Sequence, residues 1–150
     1  MANLSCTARA ETCNVGSVDT VAGVLRTARR IAVVGLSPKP WRPSHGVAKY
    51  LQEAGYEVVP VHPAGGIILK EPVHLTLESA RDTGPIDIVN IFRRSAAVGD
   101  LVDACVAVTP RLVWMQVGVS HPGAARRLEE ADILVVMNRC IAVAHQRLGE

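Results

Sequence analysis

The chain has 150 residues, with 16 lysines and arginines against 14 aspartates and glutamates and a formal charge of +2. That length fits one domain with a buried core. A charge so near balance excludes the broad electrostatic footprint of a nucleic-acid binder, so any anion site has to be local. Hydrophobic residues make up 49% of the chain but aromatics only 3%, so the core must be Val, Ile, Leu and Ala, which suits parallel strands covered on both faces.

Residues 1–16 are polar and without a sustained period, and read as a flexible arm ahead of a domain over 17–150. No apolar h-region follows Met1, and no apolar run approaches the roughly 18 residues of a membrane span. Cys6, Cys13, Cys105 and Cys140 form no C-x-x-C pair, which predicts free thiols, no structural zinc and a cytoplasmic setting. Ser17 reads as the cap of a helix over 18–29, and the Arg26, Arg29, Arg30 cluster at its end as a solvated helix terminus. The apolar run Ile31 to Val34 gives a strand ending at Gly35, followed by the basic loop Leu36-Ser37-Pro38-Lys39-Pro40-Trp41-Arg42-Pro43 and a helix capped by Ser44 and stopped by Gly55.

Glu57 to Val61 is a second strand closed by His62-Pro63, and 64–76 is a long connection with a minor β run at Ile67-Ile68-Leu69. Glu78 to Arg81 makes one helical turn. Asp87 to Phe92 is the third main strand, Ser95 caps a helix to Val108, and Leu112 to Val117 is the fourth strand. A helix over 121–131 carries Pro122 in its first turn. Ile133 to Met137 is the fifth strand, and Cys140 to Leu148 a terminal helix. Strands alternating with helices predict an α/β, Rossmann-like, doubly wound, mostly parallel five-stranded sheet with helices on both faces, in a single domain.

In such sheets the ligand lies beyond the carboxyl ends of the strands. Lys39, Arg42, Arg93, Arg94 and Arg139 all fall at these ends and no carboxylate does. An NAD site normally ends its second strand with Asp or Glu, but His62 stands there, and Ser37-Pro38 interrupt any G-x-G-x-x-G pattern. Cations without carboxylates suit a ligand with extra phosphate near the ribose; coenzyme A fits, and NADP is the chemical rival. There is no nucleophile elbow and no P-loop, and His45, His62, His74, His121 and His145 have no i,i+4 metal pairing, so no catalytic or metal-binding residue is assigned. Cys140 beside Arg139 reads as a packed thiol, the alternative being one with a lowered pKa. Trp41 either covers an adenine or shields the loop, and Trp114 belongs to the core.

Val34-Gly35-Leu36-Ser37-Pro38-Lys39-Pro40, Arg42-Pro43-Ser44, Asp87-Ile88-Val89, Phe92-Arg93-Arg94-Ser95, Val113-Trp114-Met115-Gln116-Val117-Gly118 and Met137-Asn138-Arg139-Cys140-Ile141 stand in this order. Together they closely resemble the small bacterial CoA-binding proteins, stand-alone relatives of the CoA-binding N-terminal domain of succinyl-CoA synthetase α subunits. The resemblance spans Ala22 to Leu148 and implies a Rossmann-like domain binding CoA or an acyl-CoA. It implies that the Gly35-Leu36-Ser37 turn with Lys39, Arg42 and Pro43 holds the phosphates. His62 and Pro63 would border the adenosine, Phe92 and Arg93 line the groove, and Gln116 to Gly118 flank the pantetheine path.

The synthetase relatives phosphorylate a histidine in a downstream domain absent from this sequence, so ligase activity is not carried over. The chain departs from the family at His62, where Asn is usual, at Asn138, where Asp is usual, and at Lys70, which stands for a common Gly; Pro72, His74 and Thr76 also differ. The expected role is a non-catalytic CoA-binding module, with neither nucleic acid nor membrane as a partner and a homo-oligomer or a partner enzyme subunit left open. The alternatives are an NADP-dependent oxidoreductase and a nucleotide- or redox-responsive regulator using Cys140.

Overall fold

The computed structural model describes residues 20–148; the expected arm over 1–16 and the expected cap Ser17 lie outside the described residues. In chain order the elements are α1 (Val21–Thr27), β1 (Arg30–Val34), α2 (Pro43–Glu53), β2 (Glu57–Val61), β3 (Ile67–Ile68), β4 (Glu71–Pro72), α3 (Leu77–Arg81) and β5 (Ile88–Ile91). Then follow α4 (Ser95–Val98), a 3₁₀ turn (Gly99–Leu101), α5 (Val102–Val108), β6 (Leu112–Met115), α6 (Pro122–Glu130), β7 (Leu134–Val136) and α7 (Ile141–Arg147).

The main sheet runs β2-β1-β5-β6-β7, with every pair parallel. The strand order therefore reverses between β1 and β5, where doubly wound sheets open a crevice. Strands β1, β5 and β6 are buried throughout, because helices cover both faces. On one face Ile31, Val33, Ile88, Leu112 and Trp114 pack with Leu25 of α1, Ala48 and Leu51 of α2 and Ile141 of α7. On the other, Ala32, Val34, Val89, Ile91, Val113 and Met115 pack with residues of α3 to α6. Trp114 and Cys105 lie in the core as their apolar neighbours predict.

Several local expectations are corrected. Thr20 caps α1, its hydroxyl accepting from Gly23 N–H at 3.1 Å. Ser44 sits inside α2 rather than at its cap, and the cap position is Arg42 with no side-chain cap bond. Ser95 likewise begins α4 rather than capping it. The helix expected over 95–108 is broken by a 3₁₀ turn that starts at Gly99, a residue of poor helix propensity. The minor strand pairs as a hairpin, β3 with β4, turning through Leu69 and Lys70 at φ +53° and +68°. Glycine would suit that left-handed backbone better than Lys70 does.

Arg30 overturns the reading of its cluster as a solvated helix end. It is 9% exposed and binds Glu57 Oε2 at 3.0 Å, Pro85 O at 3.1 Å and Thr83 Oγ1 at 2.8 Å. One Asp87 carboxylate oxygen accepts from the N–H groups of Arg29 and Arg30 at 2.8 and 3.1 Å. These contacts fasten the starts of β1, β2 and β5 to one another. Across the α1/α2/α7 face, the Tyr50 hydroxyl meets His145 Nδ1 at 2.7 Å and the Tyr56 hydroxyl donates to the Leu25 carbonyl.

Burial, with Tyr50 nearby, pushes the Tyr56 hydroxyl from 10.0 up to about 12. Burial, with Glu78 adding to it, pushes the Cys105 thiol from 9.0 up to about 12. Both groups ionise more readily in the unfolded chain, so their contribution is complete below about pH 9 and is lost as pH rises towards about 12. Urea denaturation across the pH range should give a flat midpoint from neutrality to about pH 9 and a fall above it. A Cys105→Val variant is expected to show a smaller fall between about pH 9 and 10.

Candidate functional site

The carboxyl end of β1 turns at Gly35, φ +87°. Its N–H donates to Val61 O on β2 at 3.0 Å, while Phe92 N–H, just past β5, donates to Val34 O at 2.9 Å. A Cβ on Gly35 would lie 2.4 Å from the Phe92 carbonyl oxygen and 3.2 Å from Cδ of Arg93. The turn therefore presses directly against the end of β5, with the Arg93 stem beside it, at the point where the strand order reverses. Leu36 follows, fully buried in the α1/α2/α7-side core.

Hydrogen bonds within the loop and to α2 shape what comes next. Ser37 N–H donates to the buried Ser44 hydroxyl at 3.0 Å, and Lys39 N–H to the Ser37 hydroxyl at 3.1 Å. Arg42 N–H closes onto Lys39 O at 3.0 Å. Two N–H groups that a glycine turn might offer to a phosphate are thus already engaged, and the loop presents the side chains of Lys39 and Arg42 instead. Pro43 opens α2 with its fixed φ. Lys39 Nζ lies 5.9 Å from the ring centre of Trp41, which is 75% exposed.

Each neighbouring strand end is braced in the same way. His62 takes Ala64 N–H on its Nδ1 at 3.0 Å and Gly65 N–H on its carbonyl at 3.2 Å, shaping the turn that carries exposed Pro63. Phe92 is half-buried against the core. Gln116, 3% exposed, accepts the first N–H of α7, from Ile141, at 2.9 Å, so its carbonyl oxygen fixes a helix rather than facing outward. Gly118, φ +85°, donates to Asn138 Oδ1 at 2.7 Å and receives the Ser95 hydroxyl on its carbonyl at 3.3 Å. Asn138 stands at φ +59°, a backbone Asn tolerates. Cys140 is half-buried at the cap of α7 with no side-chain cap bond.

Lys39, Arg42, Arg93, Arg94 and Arg139 are all exposed around this end of the sheet, and among the described residues no ion pair claims them. The structure sets the Arg93 stem against the Gly35 turn at the switch point, and gives Leu36, Ser37, His62 and Gln116 internal bonds or burial. One polar residue escaped the sequence reading. Asn90, in the middle of β5, is fully buried, and both side-chain polar atoms lack a hydrogen-bond partner among the described residues. Its signal was a lone amide inside the apolar run Ile88 to Ile91.

Residues 29–146 match the family described as CoA binding domain. The chain is 40% identical over 122 residues to the uncharacterized protein YneT of Bacillus subtilis (strain 168), covering 81% of this chain and 89% of that one. A solved structure of a Thermus thermophilus protein, cell-free ID.343, superposes with a TM-score of 0.80 at 40% identity, covering 83% of this chain and 93% of the other. A hypothetical protein from Pyrococcus horikoshii OT3 gives a TM-score of 0.79 at 31% identity, over 85% and 88% of the two chains.

Gly35→Ala should cost more than about 2 kcal/mol in urea denaturation, because a left-handed alanine is added to a backbone clash. At Gly118, where a Cβ meets nothing within 4 Å, the same change should cost only the backbone strain of about 1–2 kcal/mol. Equal losses would contradict the close approach of β1 and β5.

Proposed function

The chain belongs to the CoA binding domain family, and on that premise we propose that it is a non-catalytic, cytoplasmic module that binds coenzyme A or an acyl-CoA at the β1/β5 crevice. The observation that carries this reading is the set of cations around the strand ends, Lys39, Arg42, Arg93, Arg94 and Arg139, with no ion pair among the described residues to compensate them. Coenzyme A brings a pyrophosphate and a 3′-phosphate, and charge-assisted bonds to such groups are the strong ones. In this reading Lys39 and Arg42 hold the pyrophosphate above the Gly35 turn, and Arg93 reaches it from the other side of the crevice. The adenosine lies along His62 and Pro63, and the pantetheine arm passes Phe92 and the segment from Gln116 to Gly118.

The absence of carboxylates from the strand ends supports a nucleotide with phosphate near its ribose over one with free ribose hydroxyls. The binding-only role is supported by His62, whose Nδ1 is occupied in shaping its own turn.

Isothermal titration with CoA, dephospho-CoA, NADPH and ATP tests the proposal. CoA should bind with a micromolar Kd, about −8 kcal/mol, and dephospho-CoA more weakly. Arg42→Glu and Arg93→Glu should each weaken CoA binding about tenfold or more, the loss of one charge-assisted contact. Unchanged affinity in both variants would remove the phosphate site from this loop. NADPH binding in place of CoA would hand the crevice to the rival dinucleotide.

A further inference from the structure

The Asn90 side chain has no hydrogen-bond partner among the described residues. It lies on β5 with Val33 of β1 and Trp114 of β6 as its register neighbours, and both belong to the core on the α1/α2/α7 face. Its side chain therefore projects into that face, where Leu36, Ala48 and Ile141 are fully buried. With 0% exposure and neither Oδ1 nor Nδ2 bonded among the described residues, the amide loses its hydration without recovering a bond. The other β5 positions are Ile88, Val89 and Ile91, and an aliphatic side chain would fit the same strand without that loss. Fold stability alone gives no reason for an amide here.

We infer that Asn90 is a ligand-binding residue whose carboxamide pairs with a secondary amide of the bound molecule's arm; this rests on the CoA-binding reading above. A primary carboxamide offers a donor and an acceptor side by side, the complement of a secondary amide's C=O and N–H. The pantetheine arm of CoA carries two such amides on a slender chain. Asn90 stands two residues short of Phe92, about 7 Å below the rim of the crevice, within reach of an arm entering from the strand ends.

The segment from Leu36 to Arg42 follows β1, and Leu36 is buried in the same core cluster as Val33 and Trp114. Among the described residues the segment's hydrogen bonds run within the loop and to Ser44, His45 and Gly46 of α2, and none of them reaches β5, β6 or α7.

An adenine edge also presents a donor beside an acceptor, so the test separates the two halves of the ligand. Asn90→Val and Asn90→Ala are melted, then titrated with CoA, 4′-phosphopantetheine and adenosine 3′,5′-bisphosphate. The expected result is a folded variant that melts at or above the wild type for Val, loses about tenfold in affinity for CoA and 4′-phosphopantetheine, and keeps its affinity for adenosine 3′,5′-bisphosphate. Wild-type affinity for CoA in a folded variant overturns the inference while leaving the binding reading in place. Loss confined to adenosine 3′,5′-bisphosphate overturns it in favour of an adenine contact, and failure of both variants to fold overturns it in favour of a structural amide. A wild-type protein that binds no CoA overturns both readings together.

Discussion

The carbonyl oxygen of Phe92 occupies the space that a side chain on residue 35 would need. That single contact sets how closely β1 and β5 meet at their carboxyl ends, and much of the functional end follows from it. A glycine there takes the left-handed turn that sends the chain over the α1/α2/α7 face, buries Leu36 and lets Ser44 receive the Ser37 N–H. The turn also sets the Arg93 stem beside the first loop. Gly35 and Arg93, distant in sequence, meet because β1 and β5 are neighbours in the sheet.

The two ends of the sheet solve opposite problems. At the amino ends, Arg30 and Asp87 bind backbone and side chains of neighbouring strands and leave little charge uncompensated. At the carboxyl ends polar side chains satisfy backbone groups, and among the described residues no ion pair engages Lys39, Arg42, Arg93, Arg94 or Arg139. Ser44 serves the first loop, His62 the turn after β2, Gln116 the start of α7 and Asn138 the turn at Gly118. Of these, Ser44 acts on the loop that carries Lys39 and Arg42.

Much of this was legible in residue patterns. Continuous apolar runs at Ile31 to Val34, Ile88 to Val89 and Leu112 to Met115 could only be strands covered twice, and their alternation with helical segments fixed a parallel sheet. Helix boundaries were less legible, because a residue such as Ser44 or Ser95 fits a cap by type alone and takes that role only if the backbone turns there. Arg30 was misread for a related reason: a basic residue after a helix is usually solvated, and only the partners brought by β2 and the segment before β5 turned it inward.

By itself, the sequence determined the fold class, the order of the elements and the cations at the strand ends, since these depend on local periodicity and on residue type. It also carried the family resemblance that the matching of residues 29–146 bears out. Tertiary structure decided which members of those motifs face outward. Leu36 and Ser37 share a motif with Lys39, yet Leu36 is buried and the Ser37 hydroxyl accepts from Lys39 N–H; at other strand ends His62 Nδ1 and Gln116 Oε1 accept backbone N–H groups of the protein itself. It alone exposed Asn90 as an unpaired amide, because satisfaction of a buried polar group depends on partners from distant strands and helices that no local pattern encodes.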